Sequence, residues 1–322
     1  MSQILSLPLE KILDISRHSP SSHNTQPWKV QIKNSEAYIG FDPSRQLLVG
    51  DPEKRELFIS LGCFIESFVC SAAELGYRVR YQFLGYNPRA FVRLSLNKAS
   101  PDSEAWSKLI KSRRSDRRFY QSKKLDPIVL NKLQSLSTNG VTLRLFTDIS
   151  DINFLAKETF DATLEAMSNP AFRLELASWV RNNWTKQTDG MPAYTQGIPG
   201  PISLIAPLII KKNKKISVNQ AKKDSKRIAH SSAIGLICSD RQTPESLIKA
   251  GKLYQRASLV ATKHNVKTAG ISAAVVNPLT TKNIIRKFKL ETTPVSLIRF
   301  GYTKNLPKKS PRLSIKQFTT VD

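Results

Sequence analysis

Acidic residues are scarce in this chain, whose 322 residues hold 25 Asp and Glu against 50 Lys and Arg, a formal charge of +25. There are only three cysteines and 13 glycines. No glycine falls in a GxGxxG, GxxxxGK[ST] or GxSxG pattern, so dinucleotide-binding Rossmann, P-loop and hydrolase-elbow readings have no basis in the sequence. The cysteines and four histidines show no CxxC or HExxH spacing, and no metal site is expected. Cys63 and Cys70 on one helix would stand about 10 Å apart along one face, beyond disulfide reach, and read as small core residues in a reducing compartment. The start, MSQILSLPLEKILDISR, has no basic region ahead of an apolar block, and Glu10 and Lys11 interrupt that block, so no secretory signal is expected. The longest nearly apolar run, Ile202 to Ile210, is about half the roughly 20 residues a spanning helix needs. The expectation is a cytoplasmic protein with no membrane partner.

What is present is enough for a real core: 40% of residues are hydrophobic and 8% aromatic, at a length that suits one large or two medium domains. The charge is local. Lys108 to Lys124, Lys211 to Arg227 and Lys304 to Lys316 carry +19 of the +25, with Asp116 and Asp224 their only acids. A basic nucleic-acid-binding protein is therefore one reading, but no recognisable reading motif accompanies the charge and nucleic acid is not the expected partner.

Hydrophobic spacing predicts a helix over residues 3–17, strands at Lys29–Ile32 and Ala37–Phe41, a mostly buried helix from Asp51 to Gly76 and a strand pair at Tyr77–Leu84 and Phe91–Leu96. A polar turn at Lys98–Asp102 marks a boundary, giving halves 1–100 and 101–322. The second half reads as helices at Ser103–Ser112, Asp126–Leu136, Asp151–Met167 and Pro170–Asn182, with a strand at Val141–Phe146. A strand at Ala233–Cys238, a helix at Thr243–His264 and a final strand at Pro294–Tyr302 follow. Trp184 to Ser232, marked by glycine and proline, reads as a lid. The order implies an α+β fold rather than regular βαβ alternation.

Two short segments could carry chemistry. Ser19–Trp28 reads SPSSHNTQPW, packing hydroxyls, an imidazole, two amides and an indole into ten residues. Asn24 and Gln26 can offer donors and acceptors to a flat heterocycle, with Pro20 and Pro27 stiffening the loop; a structural polar loop with a core Trp28 is the plain alternative. Arg113–Phe119 reads RRSDRRF. Arg113 and Arg117 share a face if helical, and Arg113, Ser115 and Arg117 share one if extended, so either geometry converges guanidiniums on an anion such as phosphate. Alone, such a stretch is equally a solvated face.

Together the two segments resemble the signature pieces of the FMN-dependent nitroreductase family. In that family the Arg-Arg-Ser piece precedes the Pro-Ser-Ser loop in a short chain, and two chains build each flavin site across their interface. Here the order is reversed. The first half keeps the loop at Pro20–Trp28 without an Arg-Arg-Ser piece before it; the second keeps Arg113–Arg117 but reads STNGVT at Ser137–Thr142, where its own loop would stand. The chain thus resembles the fused, pseudo-dimeric Acg-type branch, with the similarity extending through DPEKREL at Asp51–Leu57, WVRNNWTKQTDGMP at Trp179–Pro192 and RFGYTKNLPKKSPR at Arg299–Arg312.

The resemblance implies a nitroreductase-like fold of two degenerate halves, a monomer with an internal pseudo-dimer, and one FMN per chain. Arg113, Arg114, Ser115 and Arg117 would hold the ribityl phosphate and the N1–C2 edge of the flavin. Pro20, Ser21, Ser22, Asn24 and Gln26 would meet it from the other half, Arg312 would add a phosphate contact, and Gly270 and Ile271 would lie beside the ring. The implied activity is transfer of electrons from NAD(P)H through FMN to a small electron-poor acceptor such as a nitroaromatic or quinone. No catalytic side chain is assigned, since the flavin carries the chemistry. The alternative within the same resemblance is a lid-covered flavin store without efficient turnover. One departure stands out: Arg312 is followed by Leu313 where the family tends to have a second arginine, a loss of about 1–3 kcal/mol for one charge-assisted bond unless Lys308 or Lys309 compensates.

Overall fold

The computed structural model describes residues 6–212 and 215–321. Residues 3–5 of the expected first helix, and Lys214 of the second basic segment, lie outside the described residues. The first half runs α1 (Leu7–Ser16), β1 (Trp28–Lys33), β2 (Glu36–Phe41), α2 (Arg55–Glu74), β3 (Tyr77–Phe83) and β4 (Val92–Lys98). After a polar turn come α3 (Trp106–Ser112), α4 (Pro127–Gln134), β5 (Ser137–Thr138), β6 (Val141–Phe146), α5 (Ile149–Ser168), α6 (Pro170–Trp179), β7 (Val180–Arg181) and β8 (Met191–Pro192). The chain continues through α7 (Gly200–Lys212), α8 (Lys215–Ala229), β9 (Ala233–Ser239), α9 (Pro244–Lys263), β10 (Lys267–Gly270), α10 (Ala273–Val276) and α11 (Pro278–Phe288). It ends with β11 (Thr293–Gly301), α12 (Ile315–Phe318) and β12 (Thr319–Val321).

Two five-stranded sheets result, ordered β12-β1-β2-β4-β3 and β10-β11-β9-β6-β5. Their pairings are antiparallel except for β12, which lies parallel to β1. That last strand corrects the expected division at residue 100: the tail of the second half closes the first half's sheet, with Val30 opposite Thr319 and Ile32 opposite Val321. The arrangement is α+β, as the element order predicts.

The two 20-residue helices α2 and α9 pack on each other at the centre. Their crossing is close because each offers a glycine. A Cβ on Gly62 would stand 2.1 Å from the Ile248 carbonyl oxygen, and one on Gly251 would stand 2.0 Å from that of Ile59. The contact is reciprocal, Ile-x-x-Gly against Ile-x-x-Gly. One hydrophobic core runs through it, joining Trp28, Ile39, Phe64 and Phe68 to Leu143, Ile237, Leu253 and Phe300. Trp28 is fully buried and stacks on Phe64 at 5.0 Å, so the indole of the polar loop belongs to the core.

By length and composition α2 is apolar enough to cross a membrane, with a mean hydropathy of 1.6 over its best window. Counting only unbroken apolar runs overlooked it, because Glu66 and several serines interrupt the sequence. In the fold 83% of that window is buried. Its first turn is held by Asp51, whose two carboxylate oxygens accept from the N–H groups of Glu56 and Leu57 at 3.1 and 2.9 Å.

The segment expected as a lid contains two helices. α8 lies along α5, and α7 packs on α6.

Candidate functional site

RRSDRRF is extended. α3 ends at Ser112, Arg113 has φ −54° and ψ 132°, and Ser115 forms a parallel bridge with Thr268 beside the second sheet. Of the two geometries left open by the sequence, the structure takes the one that aligns Arg113, Ser115 and Arg117. The alternate residue Asp116 is fully buried, facing Arg118 at 2.6 Å and Thr303 at 2.8 Å. Arg118 is thereby anchored away from the other arginines.

SPSSHNTQPW carries strain invisible in its composition: His23, Asn24 and Gln26 all have positive φ, at 47°, 55° and 51°. Non-glycine residues hold such angles only where surroundings fix them. Here Ser21 Oγ accepts from the Gln26 N–H at 2.9 Å, Ser60 Oγ on α2 accepts from the Ser22 N–H at 3.3 Å, and Arg45 Nη1 donates to the Thr25 carbonyl at 2.9 Å.

The two segments and the C-terminal tail meet around a cavity of about 210 Å³. Seven cationic side chains line it, from Arg17, Arg113, Arg114, Arg117, Lys308, Lys309 and Arg312, with Ser21, Asn24, Ser115 and Ser310 between them. No carboxylate is among its described lining residues. Burial pushes the proton affinities of Arg113, Arg114 and Arg117 down; burial, then Arg113, Arg114 and Arg17, pushes Arg312 down to about 9. These are the directions of buried cations, to which neighbouring arginines add at Arg113 and Arg312; Arg17 is paired with Asp14 at 2.9 Å behind the wall. The buried Nε atoms of Arg113 and Arg312 find no partner among the described residues. His18, also on the wall, is pushed down to about 3 by burial and then by Arg312.

This cavity shares Pro20, Ser21, Ser115, Arg117 and Met191 with a larger chamber of about 650 Å³. Ser22 and His23 line one side, Gly270 and Ile271 another, and α2 contributes Glu56, Ile59 and Cys63. Tyr254 comes from α9, and α5, α6 and α8 close the far side. Burial pushes the Cys63 thiol and the Tyr254 phenol up, so both stay protonated. Burial and then Asp51 push Glu56 up to about 7. Cys63 and Cys70 are free and buried, as expected of small core residues too far apart for a disulfide, and Cys238 is free and buried as well.

The expected site residues therefore converge. Arg113, Arg114, Ser115, Arg117, Pro20, Ser21, Asn24 and Arg312 line the small cavity, and Ser22, Gly270 and Ile271 line the chamber. Gln26 does not. It is fully buried, its Nε2 donating to the Thr188 carbonyl at 2.9 Å and its Oε1 accepting from the Leu313 N–H at 2.9 Å. Asn24 is similarly occupied: Nδ2 donates to the Gly190 and Pro311 carbonyls at 2.9 and 3.2 Å, while Oδ1 accepts from Arg312 Nη1 at 3.0 Å. Both amides bind protein segments together instead of offering a free planar edge. Leu313, standing where the family tends to have an arginine, is 1% exposed, whereas Lys308 and Lys309 reach the cavity wall. Tyr254 had no sequence signal, since it sits in an ordinary helical pattern; Glu56 lies in DPEKREL and the polar residues of α8 in the second basic segment, but neither segment was expected to line the site.

Among the described residues no group of three or more His, Cys, Asp or Glu side chains could hold a metal. The site's chemistry fits a phosphorylated cofactor with a flat apolar body: a cationic end with no carboxylate on its described wall for the phosphate, opening on a chamber for the ring. FMN has that form.

No family model matches the chain. Over 174 residues, 52% of its length, the chain is 27% identical to proteins from two strains of Mycobacterium tuberculosis that are provisionally named NAD(P)H nitroreductases. The match covers 49% of each, so the chain spans about half the length of the curated relatives it matches. Among solved structures, the FMN-dependent nitroreductase NfnB from Mycobacterium smegmatis in complex with NADPH superposes with a TM-score of 0.44 at 14% identity, covering 66% of this chain and 96% of that one. A nitroreductase with bound FMN from Bacteroides fragilis gives 0.44 at 11% identity, covering 68% and 100%. Over half its length, the chain is similar in sequence to the NAD(P)H nitroreductases, the family its two signature segments resemble.

Proposed function

We propose that the chain is an FMN-dependent oxidoreductase of nitroreductase type, drawing electrons from NAD(P)H and delivering them to a small electron-poor acceptor, with one FMN held between two fused halves. The observation that carries this reading is the acid-free cavity of seven cations opening directly into an apolar chamber. FMN, when bound, supplies the electron transfer itself.

The chain's own residues bind and orient. Arg113, Arg114 and Arg312, with Lys308 and Lys309, would hold the phosphate. Ser115 and Arg117 stand where cavity and chamber join, placed to meet the ribityl chain and the pyrimidine edge. Pro20, Ser21 and Ser22 come from the first half; Gly270 and Ile271, from the second, form the wall beside the ring. Asn24 and Gln26 act one step back, tying the loop to Thr188, Gly190 and the tail. The reciprocal glycine crossing of α2 and α9 supports the fused-pair reading, and with it a monomer, because two similar halves already bury their contact within one chain.

A second reading has its own support. α8 lines the chamber with Gln220, Lys223, Asp224 and Arg227 and packs along α5, which suits a cover over a stored flavin. Anaerobic addition of NADPH to the flavin-loaded protein, followed by a nitroaromatic, separates the two. Bleaching and reoxidation over many cycles are expected for the oxidoreductase. Retained flavin that never bleaches would establish storage instead.

A further inference from the structure

The chamber has a polar corner that the flavin reading leaves unused. Lys223, Asp224, Gln220 and Arg227 of α8 face into it. Arg227 is 4% exposed; its Nη1 donates to Asp224 Oδ1 at 2.9 Å, and its buried Nε finds no partner among the described residues. Gln220 Nε2 donates to the other Asp224 oxygen at 2.9 Å. Lys223 is half-buried, with Nζ donating to the Gln196 carbonyl at 3.1 Å. Across the corner stands Arg117, whose Nη1 reaches only the thioether of Met191, at 3.4 Å. Burial and then Arg227 push the proton affinities of both Arg117 and Lys223 down while Asp224 pulls both up, which places Arg227 and Asp224 within range of each.

Lys223 and Arg227 against Asp224 leave about one charge uncompensated, beside an Arg117 that the flavin reading already engages, where the remaining walls are largely apolar, from Met167, Phe172, Leu176, Val180 and Ile198. The other carboxylates of the chamber do not answer them. Glu165 accepts from Asn277 Nδ2 at 2.7 Å, and Glu56 sits on α2 beside Asp51 and Ser272. An apolar slot ending in a buried guanidinium that pairs with Asp224 on one edge and keeps its Nε–H unmet among the described residues fits a flat ring bearing one anionic group.

We propose that Arg227 and Lys223 of α8 form a carboxylate subsite, so that the chamber selects acidic aromatic acceptors over their neutral esters. The inference rests on the flavin reading for the word acceptor, but the binding preference is testable without it. Para-nitrobenzoate and its methyl ester are the probes, measured by calorimetry on the full chain with and without FMN, and by perturbation of the flavin absorption bands when FMN is present. The acid is expected to bind about tenfold or more tightly than the ester, a difference of one charge-assisted contact. Lys223→Ala and Arg227→Gln are expected to remove most of that preference while leaving the ester and the FMN Kd within about twofold.

Equal binding of acid and ester by the unmodified protein would overturn the proposal. So would variants that keep the preference, or that weaken NADPH alone, since the corner would then serve the nucleotide's phosphates. Should Arg227→Gln fail to fold, Lys223→Ala decides, its side chain being only half-buried. Preference for the acid without FMN retention would overturn the flavin reading and uphold this one; retained FMN without the preference would do the reverse.

Discussion

Arg113 is the residue on which the cofactor reading turns. It is 4% exposed, and among the described residues its Nε has no partner and its Nη2 reaches only the His18 carbonyl, at 3.4 Å. A cation held this way has its strongest bond still to make, and Arg113→Ala is expected to weaken FMN binding by about tenfold or more, the worth of one charge-assisted contact. Asn24→Ala should also weaken FMN, but through the loop: it frees Gly190, Pro311 and Arg312 together, so the melting temperature of the flavin-free protein should fall as well. Calorimetric FMN titration with a melt of each apoprotein reads both effects, and unchanged FMN affinity in either variant contradicts the shared site. The histidines and Glu56 give a pH signature with opposite signs. Burial, and for His23 then Arg117, pushes His18 and His23 down to about 3 and about 4, so below about pH 6.5 the unfolded chain takes up protons that the fold refuses. Their contribution is full above that value and is lost as pH falls towards 4. Glu56, raised from 4.5 to about 7, contributes fully below about pH 4.5 and loses that contribution as pH rises through 7. In urea titrations of the flavin-free protein, Glu56→Gln is expected to gain on the unmodified chain as pH rises from about 5 to 7, and His23→Gln to gain as pH falls from about 6.5 to 4. A pH-independent difference for either contradicts the assigned burial.

At the level of elements, the crossing of α2 and α9 makes the sharpest claim. Gly62→Ala would set a methyl group 2.1 Å from the Ile248 carbonyl oxygen, where backbone must move. A loss of about 1–3 kcal/mol or more is expected in denaturant titrations, against a few tenths for a glycine in open helix. A neutral or stabilising outcome would show that the helices do not cross here. The long elements were legible because burial and periodicity agree in them: α2, α5 and α9 appear within a few residues of their expected limits, and β6 spans Val141–Phe146 as expected. The short ones were not. β10 and β12, at four and three residues, lack the length for alternation to register, and their partners are distant in sequence. α7 hid for another reason: it buries Ser203 and Ala206 while exposing Ile202, Leu204, Ile205 and Leu208, the inverse of the usual helix face. In the loop, SPSSHNTQPW revealed its importance through composition, yet the division of labour within it depends on three left-handed backbone positions that bring Asn24 and Gln26 against distant carbonyls. Composition carries no trace of that.

Across the whole molecule, the three basic segments that concentrate the charge come from distant parts of the chain and converge on one cleft. Arg113, Arg114 and Arg117 represent the first, Lys223 and Arg227 the second, Lys308, Lys309 and Arg312 the third. Of the 21 basic residues in those segments, these eight line a connected small-molecule site. FMN affinity is therefore expected to weaken as salt rises, while binding to random-sequence DNA or RNA at roughly 50 mM salt, where phosphate contacts are strongest, is expected to be absent. Electrophoretic mobility shifts check the second; strong nucleic-acid binding would reassign the cleft.

A single flavin site assembled from both halves of one chain is tested most directly by titration of the purified protein with FMN, followed by desalting and quantification of released flavin. The prediction is one FMN per chain, reduced together by Arg113→Ala in the second half and Ser21→Ala in the first. Two flavins per chain, or none, or a stoichiometry and affinity indifferent to both substitutions, would contradict it.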